Sequence, residues 1–367
     1  MSFWKKDKPK KETRPRTLKE KTIHNIREFV IVFGGFLILN NFVIASFMVP
    51  TGSMENEVMT GDFLMVNKFI YGGTSPRNIM FTDIRLPWFR LPAFKQVERG
   101  DVIVFEFPGM REEVHPETFQ FYLKRCWGTP GDTLQIINRV VYVNGERQPL
   151  PHNAVFDSPR IFPPGYAEPN IFPPTAPYNQ DNYGPVVVPK KGMTIPLTPD
   201  TYSMWETFIK RENHSPDIRN GIITIDGKET TSYTVEHNYY FGMGDHRDNS
   251  LDSRYWGFIP AENIVGSPIF VYWSWNSDLP ITGLFAVVAL LFSVNYFRKK
   301  YLLSKLPATK DPLELEARKN EKSFAQTMAV ALLLVSLMFI FKSNNFLDEA
   351  SAKISSVRLN RIGTLIR

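Results

Sequence analysis

The chain is short of the residues that staple or metallate small proteins. Among its 367 residues there is one cysteine, Cys126. That excludes an intramolecular disulfide framework and a cysteine-rich zinc site. The six histidines, His24, His115, His152, His214, His237 and His246, show no metal-ligand spacing. Gly242-x-Gly244 lacks the strand-to-helix setting of a nucleotide loop. A charge excess is also missing from most of the chain. The net charge of +6 is gathered in residues 1–27, where ten Lys or Arg stand against Asp7, Glu12 and Glu20. The rest is close to neutral, which argues against a nucleic-acid-binding face. No cofactor, metal or nucleic acid is expected.

Long apolar runs, by contrast, are present. Phe29 to Val49 spans 21 residues without a charge, bounded by Arg27 and Glu28 on one side and Pro50 on the other. About 20 such residues cross the hydrocarbon core of a bilayer. A cleavable signal peptide has a shorter apolar run and a small-residue exit, so this run reads as an uncleaved anchor. The basic tail then stays cytoplasmic and the chain after Pro50 lies outside. Ile281 to Phe297 and Phe324 to Phe341 are two more uncharged runs, and the stretch between them carries eight Lys or Arg against four acidic residues. That loop falls inside if both runs span, in agreement with the first anchor. The expected organisation is a tail (1–27), an anchor (28–49), an outer domain (50–276), spans at 277–299 and 323–342 around a cytoplasmic loop (300–322), and a final tail (343–367).

Residues 50–276 show no long 3.6-residue period and read as mainly β, an antiparallel domain. Strands are expected at Asp101–Phe107, Thr133–Ile137, Arg139–Val143 and Ser267–Ser274. Asn144-Gly145 and Asp226-Gly227 mark hairpin turns, since both central residues need positive φ. Residues 149–189 hold 11 prolines. Proline fixes φ and removes a donor, so this insertion is neither a central strand nor a helix.

Three segments could carry chemistry. Pro50-Thr-Gly-Ser-Met54 puts a serine after a small glycine at the outer end of the anchor, where it could be a nucleophile if a base is near. Tyr122-Leu-Lys-Arg125 puts Lys124 in an apolar, strand-like run. Burial there would make it lose its proton more easily. Gly242 to Gly257 is dense in Gly, Asp and Arg. Its spacing fails the calcium-loop pattern, and Arg247 and Arg254 oppose a cation, so Asp–Arg pairing is the better reading.

Taken together and in this order, the segments resemble the type I signal peptidases of bacteria. The matched pieces are Pro50-Thr-Gly-Ser-Met54 with Gly61-Asp62, Arg99-Gly-Asp-Val-Ile-Val-Phe105, Tyr122-Leu-Lys-Arg125 with Gly128-Thr-Pro-Gly-Asp132, and Gly242-Met-Gly-Asp-His-Arg-Asp-Asn-Ser-Leu-Asp-Ser-Arg-Tyr-Trp-Gly257. The resemblance implies a Ser–Lys dyad of Ser53 and Lys124. It implies oxyanion donors at Thr51 and the Ser53 N–H, and Ser250 orienting the lysine. Val49, Met54, Val58, Tyr122 and Leu123 are implied to line pockets for small substrate residues at −1 and −3. Arg125, Asp245, Asp252 and Arg254 are implied to be structural residues near the site. It further implies signal-peptide-bearing preproteins as substrates, the lipid bilayer and the vicinity of the secretion translocon as surroundings, and the outer (periplasmic) face of a bacterial inner membrane. Many relatives carry two N-terminal spans and an Asn where His246 stands. The S-x-x-K pattern of penicillin-binding enzymes is absent, because Asn56 follows Ser53 at that spacing. The alternative is a non-catalytic membrane-anchored β module that binds exported chains.

Overall fold

The computed structural model describes residues 18–77, 84–276, 288–298 and 346–366. The chain enters through helix α1 (Leu18–Ile38), prolonged by a π turn over Leu39–Val43. Thr22–Val43 is long and apolar enough to cross a membrane. Val30, Ile31 and Val32 are all at least 60% exposed, so none of the described residues covers this part of the apolar surface.

The helical part ends earlier than the apolar run. Ile44–Met48 leave it and become the first strand, so the expected anchor of 28–49 is helical only to Val43. Two causes act together. Asn41 Nδ2 donates back to Leu37 O at 2.8 Å, competing with the helix's own bonds. The strand β1 (Ile44–Met48) also finds a full backbone partner in β2 (Asp62–Asn67), with Ala45 opposite Val66.

The outer region carries β3 (Val102–Glu106), β4 (Phe121–Gly128), β5 (Thr133–Ile137), β6 (Val140–Val143), β7 (Glu146–Arg147), β8 (Tyr183–Val187), β9 (Thr194–Pro196), helix α2 (Pro199–Arg211), β10 (Pro216–Arg219), β11 (Ile222–Ile225), β12 (Lys228–Glu229), β13 (Ser232–Thr234), β14 (Tyr239–Met243), helix α3 (Ser253–Trp256), β15 (Ile259–Pro260) and β16 (Ile264–Ser274). The main sheet is antiparallel in the order β1-β2-β16-β3-β4-β14-β15. Register shifts in β16 at Pro268/Phe270 and Val271/Trp273 bend that strand, so Ile264 and Gly266 pair with β3 while Ser267–Ser274 pair with β2. Bulges increase local twist, and the sheet curls. Phe47 on β1 meets Phe121 on β4 edge-on at 5.0 Å although three strands lie between them.

The sheet β7-β6-β5-β8, the pair β9/β13, the sheet β10-β11-β12 and α2 make a second layer. Its core gathers Trp127, Leu134, Ile136, Trp205, Phe208 and Phe258. Both expected turns form, with Asn144 and Gly145 at φ 54° and 82° and Asp226 and Gly227 at 52° and 76°. The helix α2 is absent from the sequence reading. Thr198 caps it in a reciprocal pair with Thr201, Pro199 starts it, and Tyr202, Trp205, Phe208 and Ile209 turn inward.

The Pro-rich insertion packs on the domain. Pro185 sits in β8, an edge strand, where no ladder donor is required of it. Phe172 N–H donates to Arg254 O at 2.7 Å, and its ring lies where a Cβ on Gly257, at φ +92°, would approach within 3.1 Å.

Late in the chain, Val288–Arg298 is a short apolar helix. The rest of the first late run (281–287), the second run at 324–341 and tail residues 1–17 lie outside the described residues.

Candidate active site

Between β1 and β2 the chain makes a loop whose ends are tied together. Val49 N–H donates to Asp62 O at 2.9 Å and Gly61 N–H to Val49 O at 2.8 Å. Ser53 stands early in this loop. Val58 N–H donates to Met54 O at 2.8 Å, so the residues after Ser53 make a single tight turn. Lys124 comes from β4, opposite Ile103 of β3. Its Nζ lies 2.5 Å from Ser53 Oγ. The two residues are 71 positions apart in the chain, and the curl of the sheet joins them.

Lys124 is 3% exposed. Burial lowers its pKa to about 8, because a charged ammonium loses hydration there; Asp252 opposes the shift, Arg254 adds to it, and Asp245 opposes it. The Tyr122 ring lies 5.7 Å from the amine.

The loop from Gly242 to Gly257 fixes the other side of Ser53. The fully buried Asp252 accepts from Arg254 Nε at 2.9 Å and Nη2 at 2.8 Å, and from the Gly244 N–H at 3.1 Å. Burial alone would raise the Asp252 pKa, but Arg254 and the bonds hold it below the usual carboxylate value. Gly244 is thereby pressed onto the turn that carries Ser53. A Cβ at this position would come within 2.4 Å of Ser53 O and 2.2 Å of Ser250 Oγ, so only glycine fits. The His246 N–H donates to Ser53 O at 3.1 Å. The Ser250 hydroxyl is buried beside Gly244 with no hydrogen-bond partner among the described residues, and the lysine-orienting bond expected of it is not made.

Arg125, next to Lys124, grips Asp245 through two bonds of 2.9 and 2.6 Å. Both groups are buried. Asp245→Ala removes the principal carboxylate from a buried guanidinium, so stability is expected to fall by about 3–5 kcal/mol. Tryptophan-monitored melting of the purified chain in detergent measures this; an unchanged midpoint would refute it.

A groove of about 610 Å³ opens beside Ser53. Its walls include Val49, Thr51, Met54, Tyr122 and Leu123, five of the residues singled out from sequence. Val58 is not among them. It is fully buried beneath, packed with Met54 and Leu64. Sequence reasoning missed Phe47, Met48, Phe121, Asn249 and Leu251, which also line the groove. Asn249 and Leu251 lie in a quoted motif and Phe121 adjoins one, but only the curl of the sheet brings the five to one place. Among the described residues no group of three or more His, Cys, Asp or Glu could hold a metal ion.

The residues of this arrangement, a serine hydroxyl against a buried lysine at the head of an apolar groove, lie inside a stretch that a family model matches. The family model for signal peptidase, peptidase S26, matches residues 22–273. The chain belongs to the S26 signal peptidases. Two curated S26 relatives are similar in sequence. Signal peptidase I of Buchnera aphidicola subsp. Schizaphis graminum is 31% identical over 265 residues, covering 68% of this chain and 72% of that one. Signal peptidase I of Pseudomonas aeruginosa is 29% identical over 261 residues, covering 66% and 71%. A solved signal peptidase I from Enterococcus faecalis is 22% identical, covers 47% of this chain and 97% of that chain, and superposes with a TM-score of 0.24. S26 membership makes this chain a serine endopeptidase of signal-peptide processing.

Proposed function

We propose that the chain removes signal peptides from exported preproteins through a Ser53–Lys124 dyad and an acyl-enzyme. The observation that carries this reading is the 2.5 Å contact between Ser53 Oγ and a lysine amine that burial shifts toward neutrality. A neutral Lys124 takes the Ser53 proton as Oγ bonds to the scissile carbonyl carbon. Negative charge then builds on the carbonyl oxygen. The Ser53 N–H and the exposed Thr51 hydroxyl are free to donate to it, since neither is paired among the described residues. The protonated amine returns its proton to the leaving nitrogen as the C–N bond breaks. Water repeats the sequence on the ester, with Lys124 again the base. Ser250 supports the amine when its hydroxyl turns from its present unpaired position.

Among the described residues, β1 pairs only with β2, and β14 meets β4 only from Arg125 onward. Phe121–Lys124 and Ile44–Met48 therefore offer open backbone edges on either side of the groove. An extended substrate adds there as a strand. Val49, Met54, Tyr122 and Leu123 crowd its side chains, with Val58 as the floor, so small residues at −1 and −3 fit best. The basic residues ahead of the apolar run support an N-terminus held in the cytoplasm, with the site then on the outer face of the inner membrane, near the translocon. Substrate and enzyme are then held in one plane, which favours orientation.

The full chain, purified in detergent, is expected to cut a preprotein bearing Ala at −3 and −1, leaving a mature N-terminus immediately after the −1 residue. Leu at −1 is expected to block it. Edman sequencing of the product reads both. Cleavage elsewhere, or indifference to Leu at −1, would sink the proposal.

A further inference from the structure

The chain returns to its outer domain after the late apolar runs. After a 3-10 turn over Leu359–Arg361, residues 363–366 run antiparallel along the part of β16 that β3 leaves unpaired. Gly363 N–H donates to Val271 O at 2.8 Å, Val271 N–H to Thr364 O at 3.0 Å, and Ile366 N–H to Ile269 O at 3.0 Å, with Leu365 opposite Phe270. Ile366 packs against the cluster that contains Val49, Met54 and Val58. At the other end, Lys353 Nζ donates to Asn276 O at 2.6 Å and lies 4.6 Å from the Trp275 ring. Asn276 and the segment that begins at Phe346 therefore share one side of any membrane.

Two arginines of this segment hold the nucleophile loop. Arg361 Nη2 donates to Glu57 O at 2.9 Å and to Asp62 Oδ2 at 2.6 Å. Arg358 Nη2 donates to Thr60 O and to Trp275 O, and its Nε to Ser274 Oγ at 2.9 Å. Asp62 is fully buried, and Ser274 Oγ and the Met59 N–H complete its bonds at 2.6 and 2.9 Å. Arg361 and Arg358 are its cationic partners. Asp62 O and Gly61 N–H tie the loop ends to Val49. Ser53 therefore stands on one limb of a closed loop whose other limb is fastened by residues some 300 positions later.

We infer that residues 356–366 close the catalytic domain, with 363–366 as its closing strand, and that Arg361 and Arg358 are positioning residues that fix where Ser53 stands. Asp62 is the joint. Its buried charge makes the loop position depend on the arginines, because without them the carboxylate must turn toward water and take Gly61 and Val49 with it. The inference rests on Ser53 being the nucleophile.

Kinetics of the full chain in detergent test it, with the native protein and Ser53→Ala alongside. Rates are taken per folded molecule. Arg361→Gln is expected to lower kcat about tenfold to a hundredfold, the scale of a displaced reacting group, while KM stays within about twofold. Arg361→Lys keeps the charge and is expected to fall between. A role in folding alone would leave kcat per folded molecule unchanged. A second measurement works even where Arg361→Gln folds poorly. The pair Phe270→Cys with Leu365→Cys is expected to form a disulfide in intact cells treated with an oxidant that cannot cross the inner membrane. No disulfide, with both thiols alkylated after solubilisation, overturns the closing strand. Native kcat in Arg361→Gln, with Ser53→Ala inactive, overturns the positioning role and leaves the nucleophile standing. Cleavage by Ser53→Ala overturns both.

Discussion

Ser53→Ala and Lys124→Ala are each expected to lower preprotein cleavage by a factor on the order of ten thousand to a million, and the double variant to fall no further. The size follows from serine proteases whose nucleophile or base is removed, where the members act as a unit and single losses do not add. The contact explains the non-additivity. Among the described residues Lys124 Nζ has one hydrogen-bond acceptor, Ser53 Oγ at 2.5 Å. Without the base, Ser53 stays protonated; without Ser53, the amine has no proton to take. The substitutions differ in their effect on the fold. Ser53 is half-buried and small, and its loss leaves the loop bonds from Val49 to Asp62 in place. Lys124 is a buried cation whose charge the site disfavours. Lys124→Met keeps the stem and removes the charge, so it is expected to be inactive and to melt no lower than the native protein at neutral pH. Cleavage of the preprotein by gel and melting in detergent together read this. Two variants that multiply instead of saturating would show that the residues act separately. A Lys124→Met variant that cuts would remove lysine from the mechanism.

Much of this site was legible because its parts are local. Asn144-Gly145 and Asp226-Gly227 announce their turns, since few other residues adopt positive φ twice in succession. Lys124 between Tyr122 and Cys126 reads as a strand lysine, and a strand lysine among apolar neighbours reads as buried. Arg125 with an acidic partner, and Asp252 with Arg254, follow from the density of both signs in short motifs. Other parts were illegible for equally physical reasons. The helix α2 buries aromatic residues, which are indifferent helix formers and equally at home in strands. The end of the anchor at Val43 depends on β2 being there to receive β1. Val58 and Val49 look alike in sequence, yet one lines the groove and the other lies under it. The partner of Asp62 is 299 positions away, beyond two apolar runs, and no local pattern points to it.

Cleavage is expected to rise with pH through about 8 and to level off above it. In the proposed dyad Lys124 must be neutral to take the Ser53 proton, and burial lowers its pKa to about 8 in the folded chain. Below that value the neutral fraction falls about tenfold for each pH unit, so kcat/KM at pH 6 is expected to be about a hundredfold below its plateau. The sign follows from burial as the largest cause. Asp252 and Asp245 favour the ammonium and Arg254 opposes it, but lost hydration outweighs the carboxylates. Stability moves in the same direction. The unfolded chain holds this proton up to the ordinary lysine value of 10.5, while the folded chain releases it from about 8. Between those values the unfolded state binds more protons, so stability rises with pH across that window. The cost of the buried charge is fully present below pH 8, at about 3 kcal/mol. Lys68 also has a pKa near 8, lowered by burial with help from Arg77 and Arg90, but its amine points to Asn40 O at 3.4 Å and away from the groove. Lys68→Met is therefore expected to change the stability profile and to leave the activity limb where it is. Rates on a short peptide substrate between pH 5.5 and 9.5, in the native chain and in Lys68→Met, separate the two lysines. A flat activity profile over that range, or a limb that moves with Lys68, would remove Lys124 as the base.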